Sequence, residues 1–84
     1  MATEDEFHAA AAHVNTLVID PGNETKLRMY ALYKQASEGD VEGKRPGFTN
    51  PVGRAKYDAW AEAKGMSAED AREEYVTLVG TLRT

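Results

Sequence analysis

Two tyrosines and a lysine lie within a short stretch of this chain, at Tyr30, Tyr33 and Lys34. If the stretch is helical, residues three and four positions apart are neighbours on one face, so these side chains form one cluster. Aromatic faces can stack on a purine, and a lysine ammonium is a compact charge suited to a phosphate. A second lysine, Lys56, lies in a later helical segment that also carries Trp60. The pattern suits a ligand that contains both a purine and a phosphate.

The same tyrosines also have a purely structural interpretation. Aromatic residues at helical spacing pack in a core more often than they bind a ligand, so spacing alone favours a core role. A buried tyrosine hydroxyl needs a hydrogen-bond partner, however, and two hydroxyls that converge with an ammonium are costly in a dry core. We therefore expect the cluster at a solvated edge of the fold.

Four helical segments can be read along the chain, and no stretch has a convincing strand pattern. The first begins at Thr3-Glu4-Asp5-Glu6, a capping box that satisfies two backbone N–H groups, and the turn residues 20–23 end it. The second is predicted over about 24–37. The third runs from Asn50-Pro51 to a glycine at position 65, and Ser67 caps the fourth.

One face of the first segment and one face of the last are predicted to be buried, because each segment carries apolar residues at helical spacing. These apolar residues are Phe7, Ala10, Ala11, Val14, Leu17, Ala71, Tyr75, Leu78, Val79 and Leu82. The loop over 41–50 is longer than most connections, and we expect it to pack through Phe48. At 84 residues the chain is one small domain spanning 1–84, predicted to be an all-α four-helix bundle.

Composition and charge narrow the class of function. The chain contains no cysteine, which excludes disulfides and cysteine-based metal sites. Its formal net charge of -4 argues against general nucleic-acid binding. Residues 26–56 nevertheless hold seven basic and three acidic residues, a local net charge of +4. A cationic patch on an acidic protein suits a small polyanion better than a long nucleic acid.

No arrangement typical of catalysis stands out. Ser37 and Ser67 fall at a helix end and a cap, and His8 and His13 do not share a helical face because they are five residues apart. A di-metal bundle needs repeated Glu-x-x-His motifs, whereas Asp5-x-x-His8 occurs once. No glycine-rich phosphate loop is visible. We therefore expect no enzyme, no metal site and no cofactor.

The compartment follows from what the sequence lacks. The acidic residues near the N-terminus are not a signal peptide, and no apolar run approaches the roughly 18 residues of a membrane span. We expect a cytoplasmic protein that does not insert stably into membranes and contacts them at most transiently.

Several short motifs, in order along nearly the whole chain, resemble the acyl-CoA-binding protein family. They are Phe7 with Val14 and Leu17, Pro21, Leu27, Tyr30-x-x-Tyr33-Lys34-Gln35-Ala36, Gly39-Asp40, Arg45-Pro46-Gly47, Gly53-x-Ala55-Lys56-x-Asp58-Ala59-Trp60, Lys64-Gly65 and Tyr75. Each motif is weak alone, but their order and spacing together are specific. The resemblance implies a monomeric four-helix up-down-down-up bundle. It implies that the first and last helices pack together through Phe7, Ala11, Val14, Leu17, Val76, Val79 and Leu82. It also implies that the chain binds, buffers and transports medium- to long-chain fatty acyl-CoA thioesters inside the cell without catalysis.

The resemblance further implies contacts to the nucleotide end of the ligand. Tyr30 and Tyr33 are expected to flank the adenine and help hold the 3′-phosphate. Lys34 and Lys56 are expected to bring positive charge to that phosphate from two different helices. Tyr75, in the fourth helix, is expected to touch the ribose or pantetheine region.

For the acyl chain, the resemblance implies a groove that begins at Leu27, with Ala31 and Leu32 in the same contact segment. Each buried methylene is worth roughly 0.8 kcal/mol, so a groove that holds most of a long chain could dominate the affinity. The phosphate contacts would then distinguish acyl-CoA from a free fatty acid.

The chain departs from the family pattern at several positions. Asn15 is assigned to the ligand site where the family usually has a lysine, so one charged contact to the head group is expected to be missing. Val52 likewise replaces a common lysine, Tyr57 a common tryptophan, and Lys26 a frequent hydrophobic residue beside the groove. These changes affect chain-length preference and affinity, not the class of ligand.

Two other functions stay open at this point. A helical interaction module could bind a partner protein through the same aromatic and basic face. A fatty-acid carrier indifferent to CoA would leave Lys34 and Lys56 unexplained.

Overall fold

The computed structural model describes residues 3–14 and 20–82, and all regular structure within these residues is helical. The helices are α1 (Glu4–Val14), α2 (Asn23–Glu38), α3 (Pro51–Glu62) and α4 (Ala68–Thr81). The prediction of a four-helix fold is confirmed, and α2 is one residue longer at each end than expected.

Side-chain caps fix where three of the helices begin. Before α1, Thr3 Oγ1 accepts a hydrogen bond from the Glu6 N–H over 3.1 Å, and Glu6 Oε1 accepts one from the Thr3 N–H over 3.3 Å. This is the predicted capping box. Asn50 Oδ1 accepts from the Gly53 N–H over 3.1 Å before α3, and Ser67 Oγ caps α4 over 3.0 Å.

Helices α2 and α3 run parallel. The ammonium of Lys56 lies 5.4 Å from the centre of the Tyr30 ring, and that of Lys34 lies 4.9 Å from the centre of the Trp60 ring. Residue numbers therefore rise together along the two helices. The long connection over 39–50 returns the chain to the starting end, which a short hairpin turn could not do.

Helix α4 runs antiparallel to α2 and parallel to α1. Arg28 near the start of α2 pairs with Glu74 in the middle of α4, at 2.8 Å between Nη2 and Oε2. The C-terminal end of α2, by contrast, contacts the segment that precedes α4. On the other side, Phe7 meets Tyr75, and His13 lines the same cavity as Gly80, so α1 and α4 rise together. The directions are therefore up, down, down, up, as predicted.

Among the described helices, the backbones approach closely in three pairs: α3 with α2, α2 with α4, and α4 with α1. The main core lies between α1, α2 and α4, and the predicted packing of α1 on α4 is confirmed for the residues described. Its buried members are Phe7, Ala10, Met29, Leu32, Tyr75 and Val79. Leu17, also predicted there, lies outside the described residues.

The connection over 39–50 is anchored by polar contacts to α3. The Tyr57 hydroxyl donates to the Gly43 carbonyl over 3.0 Å, and Arg45 donates two hydrogen bonds to the Asp58 carboxylate, each over 2.7 Å. Phe48, expected to pin this loop by packing, is instead 81% exposed, so that prediction is wrong. The anchors join residues 13 and 14 positions apart, which no local pattern in the sequence reveals.

Candidate ligand-binding site

Two lysines lie over aromatic rings at the interface between α2 and α3. Lys34 of α2 lies over Trp60 of α3, and Lys56 of α3 lies over Tyr30 of α2. The arrangement is reciprocal because the helices are parallel and each helix carries its lysine and its aromatic residue four positions apart. A cation held over a ring face gains roughly 0.5–1 kcal/mol at an exposed site. Two ammonium groups from different helices are thereby held along one edge of the bundle.

Lys34 also has an anionic partner in its own helix. The carboxylate of Glu38, one turn later, accepts a hydrogen bond from the Lys34 ammonium. This hydrogen bond raises the pKa of Lys34, and the nearby Tyr30 and Tyr33 side chains raise it further, whereas partial burial opposes them. Glu38 was missed in the sequence analysis, although its spacing of four residues from Lys34 is the pattern of a helical ion pair.

Tyr33 and Tyr75 belong to an aromatic cluster with Phe7 that joins α1, α2 and α4. The Tyr33 ring is 39% exposed and stacks on Phe7, with centroids 5.4 Å apart and an interplanar angle of 26°. Tyr75 is only 4% exposed and packs on Phe7 in a T-shaped arrangement, with ring centroids 5.2 Å apart. Burial raises the pKa of the Tyr75 hydroxyl, with a smaller contribution from Tyr33. Tyr33 therefore turns toward α1 and α4, whereas Tyr30 turns toward α3.

A groove of about 470 Å³ runs between α2 and α3. Its apolar lining consists of one leucine and three alanines, and four charged residues form its rim. The apolar residues are Leu27, Ala31, Ala55 and Ala59, and the charged ones are Glu24, Arg28, Asp58 and Glu62. Alanines at facing positions leave the gap open because their side chains are too short to close it. Tyr30 follows Leu27 by three residues and Lys56 precedes Ala59 by three, so the groove and the lysines adjoin.

Leu27 and Ala31, both predicted ligand contacts, therefore lie in one groove. Leu32 does not join them: it is as buried as Ala31, at 1% exposed, but it lines a different groove, between α2 and α4. Successive residues of a helix point about 100° apart, which separates Leu32 from Ala31. Asn15, the remaining predicted contact, lies outside the described residues.

Ala55 and Ala59 are site residues that the sequence analysis did not assign. Both are small residues four positions apart on α3, which is the spacing of a helix stripe. That signal is weak by itself, because a groove exists only where two helices leave a gap between them.

A polar network holds the end of α2 against the turn between α3 and α4. Gln35, 1% exposed, donates from Nε2 to Asp40 Oδ1 and to the Met66 carbonyl, each over 2.8 Å. Asp40 Oδ1 also accepts from the Gly65 N–H over 2.8 Å. These two donors, Gly65 before Gln35, lower the pKa of the Asp40 carboxyl. Gly65 has a φ of 93°, a region that favours glycine.

The indole of Trp60 is fixed by the same end of α2. Its Nε1–H donates to the Gly39 carbonyl over 2.8 Å, and the ring is 8% exposed. A fixed ring is a fixed platform for the Lys34 ammonium above it. The network therefore positions the candidate site as well as closing the bundle.

Neither a metal site nor a membrane-spanning helix is found within the residues described. No group of three or more His, Cys, Asp or Glu side chains in 3–14 and 20–82 is placed to hold a metal ion. In the same residues, no helix combines the length and the apolar character needed to cross a bilayer.

Comparison with known sequences gives the family. A sequence model described as "Acyl CoA binding protein" matches residues 4–79. Enoyl-CoA delta isomerase 2 of Rattus norvegicus is 48% identical over 81 residues, which is 96% of this chain and 21% of the isomerase. The chain therefore spans about a fifth of that relative. By contrast, the acyl-CoA-binding protein homolog of Drosophila melanogaster is 44% identical over 75 residues, covering 89% of this chain and 87% of that protein.

Comparison with solved structures agrees. The crystal structure of Oryza sativa acyl-CoA-binding protein 2 has a TM-score of 0.90 and 43% sequence identity, covering 94% of this chain and 88% of that one. The crystal structure of the Moniliophthora perniciosa protein has a TM-score of 0.86 at 33% identity, covering 99% of this chain and 86% of that one. Sequence and fold together show that the chain belongs to the acyl-CoA-binding protein family.

Proposed function

We propose that the chain binds acyl-CoA thioesters of medium to long chain length and carries them without catalysing a reaction. Membership of the family supports the class of ligand, and this is a family of binding proteins. The isomerase relative shares only a minor part of its length with this chain. The observation that carries the proposal is the pair of lysines held beside an apolar groove at the α2–α3 interface.

The charged end of the ligand is proposed to meet Lys34 and Lys56. Each ammonium group lies over a ring. The N–H donors of Lys56 are available to a phosphate, whereas Lys34 already donates one hydrogen bond to Glu38. Hydrogen bonds between ions are about twice as strong as neutral ones, which suits recognition of a 3′-phosphate. Tyr30 and Tyr33 would contact the adenine, and Asn15 would add a neutral contact where a charge is common in the family.

The two remaining predicted contacts, Tyr75 and Leu32, are proposed to have different roles. Tyr75 is largely buried against Phe7 and is proposed to touch the ribose or pantetheine region with its hydroxyl end. Leu32 lies in the core, so its proposed contribution is to hold Ala31 in place rather than to cover the chain itself.

The acyl chain is proposed to lie in the groove that begins at Leu27. Ala31, Ala55 and Ala59 continue the apolar lining. Burying ten methylenes contributes roughly 8 kcal/mol at about 0.8 kcal/mol each, enough to offset much of the cost of association. Withdrawing the chain from water makes the protein a buffer and carrier, and we propose that it acts as a cytoplasmic monomer.

A series of acyl chain lengths tests this proposal. Octanoyl-, dodecanoyl- and palmitoyl-CoA are titrated by calorimetry, each below its micelle concentration. Affinity is expected to rise by up to about fourfold for every methylene that enters the groove and to level off once the groove is full. An affinity independent of chain length would overturn the assignment of the groove.

A further inference from the structure

A second groove, of about 740 Å³, runs between α2 and α4 and has no role in the proposed function. Its apolar floor consists of Leu32, Met66 and Leu78. Leu32 is 1% exposed, and the other two are half-buried side chains packed against the core. Of the described residues, only Arg28 lines both this groove and the one between α2 and α3. The α2–α4 groove is therefore a concave apolar surface that the proposed ligand leaves open.

The rim of the α2–α4 groove is acidic. Asp70, Glu73 and Glu74 lie on α4 at a spacing of about one helical turn, and Arg28 of α2 is the one basic side chain among the described residues of the lining. Arg28 donates a hydrogen bond to Glu74, with 2.8 Å between Nη2 and Oε2. Asp70 and Glu73 form no ion pair within the described part of the chain. Two carboxylates beside an apolar floor are thus left uncompensated.

We propose that the α2–α4 groove is a docking site for a basic amphipathic helix of a partner protein. The apolar side chains of such a helix would bury against the floor, while its lysines or arginines would pair with the carboxylates of the rim. The pair between Arg28 and Glu74 is an example of this complementarity within the chain, since the rim already holds one guanidinium. Basic side chains of the partner would extend the same pairing to Asp70 and Glu73.

The length of the groove suits a helical segment. Its lining along α4 extends from Asp70 to Thr81, a rise of about 16 Å along the helix axis. About three turns of a partner helix cover that distance and present apolar residues at positions i, i+3 or i+4, and i+7. Lysines or arginines one turn apart on the partner would repeat at the same interval as the carboxylates of the rim.

The charge of the rim separates this groove from the candidate ligand site. Its carboxylates repel nucleic acids, fatty acids and acyl-CoA, all of which are anionic. The ammonium groups of Lys34 and Lys56, which suit a polyanion, lie at the α2–α3 interface instead. A partner helix and an acyl-CoA would therefore occupy different surfaces of the protein.

Three synthetic peptides test the two features of the groove. The lysine peptide is a labelled helix of about 16 residues with leucine along one face and lysine on either side of it. Its matched controls carry glutamate in place of every lysine, or serine in place of every leucine. Fluorescence anisotropy is expected to show one-to-one binding of the lysine peptide that salt weakens, and at least about tenfold weaker binding of both controls. Equal binding of either control, or no binding of the lysine peptide, would overturn the proposal.

Two double variants locate the contact. Asp70→Asn with Glu73→Gln removes both uncompensated carboxylates and should weaken binding of the lysine peptide about tenfold, at about threefold for each exposed pair. Glu4→Gln with Asp5→Asn makes the same changes in the first turn of α1, which does not line the groove, and should leave the affinity unchanged. If both double variants lose affinity equally, only net charge matters and the groove is not the contact.

Arg28→Gln should change the affinity in the opposite direction. It frees Glu74 for the peptide, so binding of the lysine peptide should tighten about threefold. Arg54→Gln removes the same charge at the start of α3, away from the groove, and should leave the affinity unchanged. An equal gain for the two variants would attribute the effect to net charge and overturn a specific contact at Glu74.

Titration with palmitoyl-CoA separates peptide docking from the proposed function. The double variant of Asp70 and Glu73 is expected to bind palmitoyl-CoA as the wild type does, because neither residue lines the α2–α3 groove. A lost affinity in a variant that circular dichroism shows to be folded would assign these carboxylates to the ligand site and overturn a separate docking site. The peptide titrations need no acyl-CoA, so their outcome stands whether or not the proposed function holds.

Sedimentation of the wild type without peptide tests the remaining occupant, a second copy of the chain. A monomer is expected at the concentrations used for anisotropy. Self-association that the double variant of Asp70 and Glu73 abolishes would give the groove to a second copy and overturn the role of a partner helix.

Discussion

The two lysines of the candidate site differ at the scale of single residues. Lys34 already pairs with an anion, the Glu38 carboxylate, whereas Lys56 lies over an aromatic ring and forms no ion pair within the described residues. A phosphate that approaches Lys34 must therefore compete with a carboxylate of the same helix. A phosphate that approaches Lys56 meets an uncompensated charge. In the free protein, the charge of Lys56 is therefore uncompensated and that of Lys34 is partly neutralised.

Replacing Lys56 tests whether its uncompensated charge contributes to ligand binding. Lys56→Ala is expected to weaken palmitoyl-CoA binding about tenfold or more, the loss typical of a hydrogen bond to a charged group. The free energy of unfolding should fall by less than about 1 kcal/mol, because an exposed cation–π contact is worth no more than that. Calorimetry and urea unfolding measure the two quantities. Lys64→Ala is the control, and an equal loss of affinity there would contradict a specific contact.

Removing the Glu38 carboxylate tests whether it competes with the ligand for Lys34. Glu38→Gln should tighten palmitoyl-CoA binding about twofold, since an exposed ion pair one turn apart is worth about 0.3–0.5 kcal/mol. Glu42→Gln makes the same charge change in the neighbouring loop. A matching gain in affinity for Glu42→Gln would attribute the effect to net charge and exclude a specific competition at Lys34.

At the scale of elements, the site depends on how α2 and α3 meet. Three alanines keep the gap between the two parallel helices open, and the network around Asp40 holds the end of α2. The helices themselves follow from local sequence, since capping residues and apolar stripes occur within each segment. The groove cannot be predicted from local sequence, because Ala55 and Ala59 line it only when α3 packs so that they face Leu27 and Ala31. Phe48 was assigned wrongly for a related reason: the loop is held by hydrogen bonds to distant residues of α3.

Filling the groove should weaken binding of the acyl chain without changing binding of the CoA end of the ligand. Ala59→Leu places a larger side chain in the lining and is expected to weaken palmitoyl-CoA binding about tenfold, within the range of about 1–3 kcal/mol for overpacking. The affinity for CoA alone should not change. Ala68→Leu makes the same substitution at the exposed start of α4 and should affect neither ligand. Both variants are measured by calorimetry. Normal binding of palmitoyl-CoA by Ala59→Leu would contradict the role assigned to the groove.

The Asp40 network predicts a dependence of stability on pH. The Gly65 N–H and the Gln35 amide lower the pKa of Asp40 in the folded protein relative to the unfolded chain. The carboxylate therefore contributes stability above the unfolded pKa of about 4, and this stability is lost as pH falls through the lower folded pKa. Asp40→Asn should make the free energy of unfolding fall less steeply below about pH 4. Urea unfolding over that range measures it, and identical slopes would contradict the linkage.

At the scale of the whole molecule, the packing of the helices produces two distinct regions. The core between α1, α2 and α4 supplies stability, and α3 lies outside it against α2 alone among the described helices. The candidate ligand site lies where α3 meets α2. The sequence indicated the fold class and the lysines through motifs that are local. The separation into a core and an outlying helix is a property of the packing, so only the structure reveals it.

The proposed function requires that the protein bind both ends of an acyl-CoA at once. Calorimetric titration with palmitoyl-CoA below its micelle concentration, beside CoA alone and free palmitate, tests it most directly. We predict one-to-one binding of the thioester that is more than about tenfold tighter than binding of either half, because phosphate contacts and chain burial then act together. Palmitate that binds as tightly as palmitoyl-CoA would contradict the role of the lysines, and no binding of any of the three would contradict the proposed function.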